Sequence, residues 1–151
     1  CNPPDNDRYC PEREITRGEM AAFISRTLGL TEQSEDVPFD DVAGNTFEGD
    51  IDKIVTAGIG FGCDDDSYCP DQPLLREEMA EMLVRAFEYD NPEEIDYFVD
   101  DEDSDFHDSI NKLANHDVTV GCNPPDNDEF CPTRTLTRAE MASFFARALD
   151  L

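Results

Sequence analysis

The sequence contains an internal repeat, and this repeat constrains the fold more than any other feature. A cysteine-bounded loop followed by an Arg-x-Glu-Met motif occurs three times, with the motif arginine at Arg17, Arg76 and Arg138. A second segment lies between the copies and recurs in register, as Phe39, Phe47, Ile51 and Ile54 and again as Phe98, Phe106, Ile110 and Leu113. Self-similarity at a fixed period is the signature of a repeat architecture.

The repeat divides the chain into two and a half units of about 60 residues. We expect residues 1–30 to form the second half of unit 1, residues 31–89 to form unit 2 and residues 90–151 to form unit 3. The chain begins inside a unit, and with a cysteine instead of a methionine, which indicates a processed protein or a fragment.

Each complete unit is predicted to contribute two helices joined by loops. The apolar residues after each motif arginine have helical spacing, as in Met20, Phe23, Ile24 and Leu28. Apolar periodicity in this and the other segments predicts five helices, at 16–29, 47–57, 75–88, 106–116 and 137–149, and therefore an all-α fold. Two of them start with the spacing of a capping box, in which a hydroxyl and a carboxylate each accept a backbone N–H: Thr16 with Glu19, and Thr137 with Glu140.

The six cysteines form three pairs, each at the same place in its unit. Six cysteines allow fifteen pairings, but the repeat favours three local disulfides: Cys1–Cys10, Cys63–Cys69 and Cys122–Cys131. A zinc site is the alternative, although no pair has the two-to-four-residue spacing of a zinc knuckle and the chain has only two histidines. Three bridges predict an oxidising compartment.

The net charge argues against a nucleic-acid partner. The chain has 37 acidic and 11 basic residues and a formal net charge of −26. Such a field repels phosphates, so we expect no nucleic-acid partner. No run of residues approaches the ~20 apolar residues of a transmembrane helix, so no transmembrane segment is expected.

The order of motifs in units 2 and 3 resembles the S-layer homology domain. In unit 2 it consists of Phe39-Asp40-Asp41-Val42, Phe47, the turn from Gly58 to Gly62, Pro70 and Arg76-Glu77-Glu78-Met79. Unit 3 repeats this order from Phe98 to Met141, and unit 1 supplies Pro11 to Met20. The resemblance therefore extends over nearly the whole chain.

This resemblance implies a fold, a location and a function. Members of the family carry three units in a pseudo-threefold bundle, and they attach extracellular proteins to cell-wall polysaccharide at the cell surface. Their motif arginine lines grooves between units that receive acidic, often pyruvylated, sugars. By position, the glycan-binding residues here would be Arg17, Arg76 and Arg138. On charge alone, these arginines could equally hold neighbouring acidic loops in place.

Two functions of different classes therefore remain open. The first is a non-catalytic module that anchors a surface protein to cell-wall polysaccharide. The second is a structural subunit of an S-layer or extracellular filament, with or without calcium, that assembles by completing the partial unit. The missing first helix of unit 1 should leave an apolar face uncovered, led by Met20, Phe23 and Ile24. Upstream polypeptide or another chain would then cover it.

Acidic residues recur inside the cysteine-bounded loops, and calcium is the candidate ligand there. The candidate metal ligands are Asp5, Asp7, Asp64, Asp66, Asp126 and Asp128. Asp101, Asp103 and Asp105 also match the first three ligands of an EF-hand loop, but Phe106 and Lys112 occupy positions that require Gly and Glu. Solvated turns are the alternative interpretation. No other cofactor is predicted.

No enzyme motif is present, and we expect a chain without catalytic activity. His107 and His116 lie nine residues apart on one predicted helix, on opposite faces, so they do not converge. The sequence contains no Gly-x-Ser-x-Gly, His-Glu-x-x-His or P-loop motif.

Overall fold

The computed structural model describes residue 1, residue 5, residues 7–34 and residues 37–151. These residues form five helices, which are α1 (Arg17–Leu28), α2 (Glu48–Thr56), α3 (Arg76–Phe87), α4 (His107–Asn115) and α5 (Arg138–Ala148). The predicted all-α fold is confirmed. Each helix is one residue shorter at both ends than predicted, because the predicted ranges included the cap residues. None of these helices has both the length and the apolar character needed to cross a bilayer.

Three helices start at a motif arginine, and two of them, α1 and α5, begin with the predicted caps. Thr16 accepts a hydrogen bond from the N–H of Glu19, and Glu19 accepts one from the N–H of Thr16 at 3.1 Å. Thr137 and Glu140 form the same capping box at α5. Helix α3 begins after Leu75, which has no side-chain acceptor, and keeps only the carboxylate half of the box, through Glu78.

The helices pack in pairs formed across the unit boundary. Helix α1 of unit 1 lies against α2 of unit 2, where Gly18 contacts the ring of Phe47. Helix α3 of unit 2 lies against α4 of unit 3, where Glu81 accepts a hydrogen bond from Ser109. In each pair, the helix that starts at the motif arginine therefore packs on the first helix of the next unit.

The segments before α1, α3 and α5 close a cyclic set of backbone hydrogen bonds. Ile15 N–H donates to Leu136 O at 3.0 Å, Leu136 N–H to Leu74 O at 3.0 Å, and Leu74 N–H to Ile15 O at 2.9 Å. All three side chains are fully buried. Residues more than a hundred positions apart in the sequence thus share one small core. Each unit forms a backbone hydrogen bond with each of the other two.

The uncovered helix face lies at the other end of the chain from the one predicted. Met20 and Ile24 are buried, because α2 covers α1. Phe23 is half-buried, with its ring 6.2 Å from that of Phe145 in α5. The expectation that Met20, Phe23 and Ile24 lead an uncovered face is therefore wrong. The face without a helix partner belongs to α5, where Ala142 and Ser143 are exposed. This follows from the pairing across unit boundaries: α2 covers α1 and α4 covers α3, whereas no described helix packs on α5 in the same way.

The contact between Gly18 and Phe47 provides a test of the α1–α2 pair. A Cβ atom at position 18 would lie 2.6 Å from Phe47 Cδ2 and 3.0 Å from Pro70 O. We expect Gly18→Ala to lower the free energy of unfolding by about 1–3 kcal/mol through overpacking. Gly49 in α2 is the matched control, because its Cβ would meet only the flexible end of Gln33. Gly49→Ala should raise stability by about 0.5–1 kcal/mol. Chemical denaturation of both variants measures the difference, and a stabilising Gly18→Ala would contradict the packing.

Candidate functional site

Each motif arginine binds a cysteine-bounded loop of another unit. Its Nε–H donates to the carbonyl of the residue before the second cysteine, and its guanidinium lies over the ring of that same residue. The pairs, with their Nε–O distances, are Arg17 with Tyr68 at 2.8 Å, Arg76 with Phe130 at 2.8 Å and Arg138 with Tyr9 at 2.9 Å. The guanidinium carbon lies 4.9, 4.7 and 4.8 Å from the respective ring centroids. The motif arginines thus link the units in cyclic order.

The cysteine-bounded loops are closed by the three predicted disulfides, Cys1–Cys10, Cys63–Cys69 and Cys122–Cys131. In units 2 and 3 the end of the loop is held by an aspartate of the preceding segment. Asp41 accepts the N–H groups of Tyr68 and Cys69, at 2.8 and 2.7 Å. Asp100 does the same for the corresponding residues of unit 3, at 2.7 and 2.8 Å. The disulfide and the aspartate together fix the residue before the second cysteine, whose carbonyl and aromatic ring contact the motif arginine.

Arg17 is fully enclosed by protein groups. Its side chain is 1% exposed, and each of its three guanidinium nitrogens has an acceptor: Tyr68 O, Phe61 O and the Glu78 carboxylate. The ring of Phe61 lies 5.2 Å from its guanidinium carbon. Arg17 therefore ties down a neighbouring loop, which is the second role considered from the sequence.

Arg138 is more open than Arg17. Its side chain is 15% exposed and lies 3.8 Å from a carboxylate oxygen of Glu19. The ring of Phe23 lies 6.0 Å from its guanidinium carbon. Because Glu19 is also bound by Arg13, the interaction with Arg138 is loose.

Arg76 differs from both, because it lines a cleft and has an unused donor. Its Nη2 is buried and has no hydrogen-bond partner among the described residues. The cleft has a volume of about 400 Å³ and is lined by Arg134, Arg147, Glu140, Val120 and Phe144, among others. We refer to it as the Arg76 cleft. Burial, followed by the positive charge of Arg134, lowers the pKa of Arg76 to about 10. Arg76 therefore remains charged at neutral pH.

Two substitutions between the units explain why this cleft is open. Unit 2 has Gln72 where unit 3 has Arg134, so Glu78 is free to bind Arg17, whereas Glu140 binds Arg134. Phe61, which covers Arg17, is replaced in unit 3 by Val120, which is 53% exposed. Arg76 therefore lacks the counterparts of Phe61 and the Glu78 ion pair, and the ring of Phe144 lies 5.2 Å from its guanidinium carbon instead.

The Arg76 cleft is equipped to bind an anion. Three guanidinium groups converge on it against one carboxylate, in a chain whose net charge is −26. Arginine binds carboxylates in a planar, bidentate geometry through charge-assisted hydrogen bonds. Phe144 and Val120 add an apolar wall. Arg76 was predicted from the sequence as a binding residue, whereas Arg134 was not, although the Gln72/Arg134 difference between otherwise matching units was a usable signal.

The aspartates of the cysteine-bounded loops do not converge. Asp5, Asp7, Asp64, Asp66, Asp126 and Asp128 are all exposed. Asp64 accepts the backbone N–H of Asp66 at 3.0 Å, and this bond lowers the pKa of Asp64. Within the described ranges, no three carboxylates of these loops lie together, and the potential ligand groups found at two loops consist mainly of cysteines already in bridges. Calcium binding by these loops stays a prediction.

Comparison with known proteins agrees with the sequence motifs. Residues 38–80 match the S-layer homology domain. The chain is 30% identical over 140 residues to an uncharacterised cell wall amidase of Bacillus anthracis, which covers 92% of this chain and 26% of that protein. It is 29% identical over 147 residues to an S-layer protein of Bacillus anthracis, with 95% and 18% coverage. It is 35% identical over 81 residues to an endoglucanase of a Bacillus species, with 54% and 8% coverage.

These matches confirm the resemblance predicted from the motifs. The matched region lies within the predicted unit 2. The chain spans 8–26% of the length of these three relatives. The domain match and the surface-layer relatives also confirm the predicted location, which is extracellular and at the cell surface.

Proposed function

Because the chain contains an S-layer homology domain, we propose that it is a non-catalytic module that anchors a surface protein to cell-wall polysaccharide. The ligand is an acidic polysaccharide, such as one carrying pyruvate ketals, and it binds in the Arg76 cleft. Some relatives are named as enzymes, but this chain corresponds to a small part of each of them. In this proposal, their catalysis belongs to the parts outside the matched region.

The observation that carries this proposal is the unpaired Nη2 of Arg76. A buried guanidinium nitrogen without an acceptor costs free energy, which a ligand oxygen would recover. A carboxylate on a sugar supplies that oxygen, and Arg134 and Arg147 lie on the same cleft to bind the remainder of the anion. The bulk of the surface repels polyanions, so the affinity must come from this local cluster.

The structural-subunit alternative is weakened by the helix pairing. If a second copy covered the open face of α5 as α1 and α3 are covered, it would do so with a helix of the α2 or α4 type. In the described chain both of those helices already pack on α1 and α3. A copy would have to open one of its own pairs to donate a helix. The anchoring function requires no such rearrangement.

Removing one guanidinium from the Arg76 cleft should weaken polysaccharide binding. We expect Arg147→Ala to reduce affinity for purified acidic wall polysaccharide by about 10-fold or more, because one charge-assisted hydrogen bond contributes roughly 1.5–3 kcal/mol. Arg26→Ala is the matched control, since Arg26 occupies the same position in α1 and is exposed, beside Asp50. Isothermal titration calorimetry on both variants measures the difference.

Two further measurements make this test decisive. Polysaccharide treated with mild acid to remove its ketal carboxylates should bind the unmodified chain weakly. Arg76→Ala should abolish binding, and its unfolding curve shows whether the fold is retained. Equal affinity of the Arg147→Ala and Arg26→Ala variants, or equal binding of the treated and untreated polymers, would contradict the proposal.

A further inference from the structure

A second cluster of chemically active side chains lies in unit 3, away from the Arg76 cleft. Asp96 and Asp101 precede α4, and His107 is its first residue. One ligand atom from each of the three lies within 4.8 Å of the others. An open cavity of about 320 Å³ is lined by Asp96 and His107, with Glu94, Asp108 and Lys112 beside them.

The central residue of the cluster is a buried carboxylate. The Asp101 side chain is 0% exposed. Its Oδ2 accepts a hydrogen bond from Asn111 Nδ2 at 3.0 Å, and Asn111 in turn accepts the N–H of Tyr97 at 2.7 Å. Its Oδ1 has no hydrogen-bond donor among the described residues, although His107 Nδ1 lies 3.3 Å away. A buried carboxylate oxygen without a donor is costly, which indicates that another group completes it.

Unit 2 shows that the fold does not require this carboxylate. The position of Asp101 is occupied there by Val42, which is also buried. Each other member of the cluster differs from its unit 2 equivalent as well, since Asp96, His107 and Asn111 replace Val37, Glu48 and Asp52. Two valines of unit 2 are thus replaced by aspartates in unit 3, and Glu48 is replaced by a histidine. Packing alone gives no reason for such a change.

We propose that Asp96, Asp101 and His107 bind a divalent first-row transition-metal ion, with zinc as the probe. An imidazole nitrogen and two carboxylate oxygens are donors that such ions accept, whereas calcium prefers oxygen ligands alone. The two carboxylates balance the charge of the ion. Asn111 is the outer partner that orients Asp101 and leaves its Oδ1 directed at His107.

The geometry requires only a small adjustment to receive the ion. Zinc bonds of about 2.0–2.1 Å in a tetrahedral site separate the ligand atoms by roughly 3.4 Å. The distance from Asp101 Oδ1 to His107 Nδ1 is already 3.3 Å. Asp96 is exposed and lies on a loop, so it can close the remaining distance. The adjoining cavity gives the ion access and leaves room for a water molecule as the fourth ligand.

Titration of the oxidised chain with zinc, after treatment with a chelator, tests this site. All six cysteines are in disulfides, so no thiol competes for the metal. We expect one ion per chain with micromolar or tighter affinity by calorimetry. Cobalt(II) should give the visible absorption of a low-coordinate site.

The variants use the residues that unit 2 places at the same positions. Asp101→Val and His107→Glu should each reduce zinc affinity at least 100-fold and remove the cobalt spectrum. His116→Gln removes the other histidine of the chain and should leave both unchanged. If Asp101→Val alters the fold, His107→Glu keeps the test valid. Absence of zinc binding, or an equal loss with His116→Gln, would show that His107 and Asp101 form an ion pair only and would overturn the proposal.

Discussion

Reduction of the three disulfides is expected to lower the free energy of unfolding by about 7 kcal/mol. Each bridge closes a loop of six or nine residues, and the chain-entropy model assigns roughly 2–2.5 kcal/mol to a loop of that length. Domains of this size have about 5–15 kcal/mol of total stability. We therefore expect the reduced chain to be largely unfolded or only marginally folded at room temperature.

The structure gives a second reason for this sensitivity. The residue before the second cysteine, Tyr68 or Phe130, is fully buried and supplies both the carbonyl and the ring that hold a motif arginine. Opening a bridge therefore loosens a contact between units as well as a loop. Circular dichroism in denaturant, with and without reductant, measures the loss, and reoxidation is the control. A reduced chain that unfolds at nearly the same denaturant concentration would contradict this prediction.

Arg17→Ala is expected to lower stability by about 3–5 kcal/mol. The change removes one partner of a nearly buried ion pair with Glu78 and leaves the carbonyls of Tyr68 and Phe61 without their donor. Arg26→Ala is the matched control on the same helix. Arg26 is 73% exposed and 3.3 Å from Asp50, and exposed pairs contribute at most about 1 kcal/mol.

A double variant separates the ion pair from the remaining contacts of Arg17. In Arg17→Met with Glu78→Gln, no unpaired charge remains, so part of the lost stability should return. Denaturant unfolding of the three variants and the unmodified chain provides the comparison. Similar losses for Arg17→Ala and Arg26→Ala would show that the buried network does not stabilise the fold.

The motif arginine has a structural role at Arg17 in these predictions. In the proposed function, the equivalent Arg76 binds the ligand. The difference lies in the surroundings. Glu78 and Phe61 complete the contacts of Arg17, whereas Glu140 is bound by Arg134 and Val120 supplies no ring over Arg76, which is buried with one donor unpaired. One motif can therefore serve both roles within one chain.

The local features of this protein were predictable from short-range sequence patterns. Helix spacing and capping boxes located all five helices to within one residue at each end. The repeat identified the three bridges among fifteen possible pairings. The helix positions and the disulfide pairs depend on residues close together in the chain, where backbone geometry and periodicity allow few conformations. Each pattern also occurs two or three times, which makes its interpretation more specific.

Which surfaces meet and which stay exposed became clear only from the packing of the units against one another. The sequence predicted that Met20 and Ile24 would lack a partner, but pairing across unit boundaries buries them and leaves Ala142 and Ser143 of α5 uncovered. The three motif arginines look equivalent in sequence, yet only Arg76 has an unused buried donor among the described residues. The physical reason is that burial and hydrogen-bond satisfaction depend on groups from other units, whose distance in space is independent of their distance along the chain.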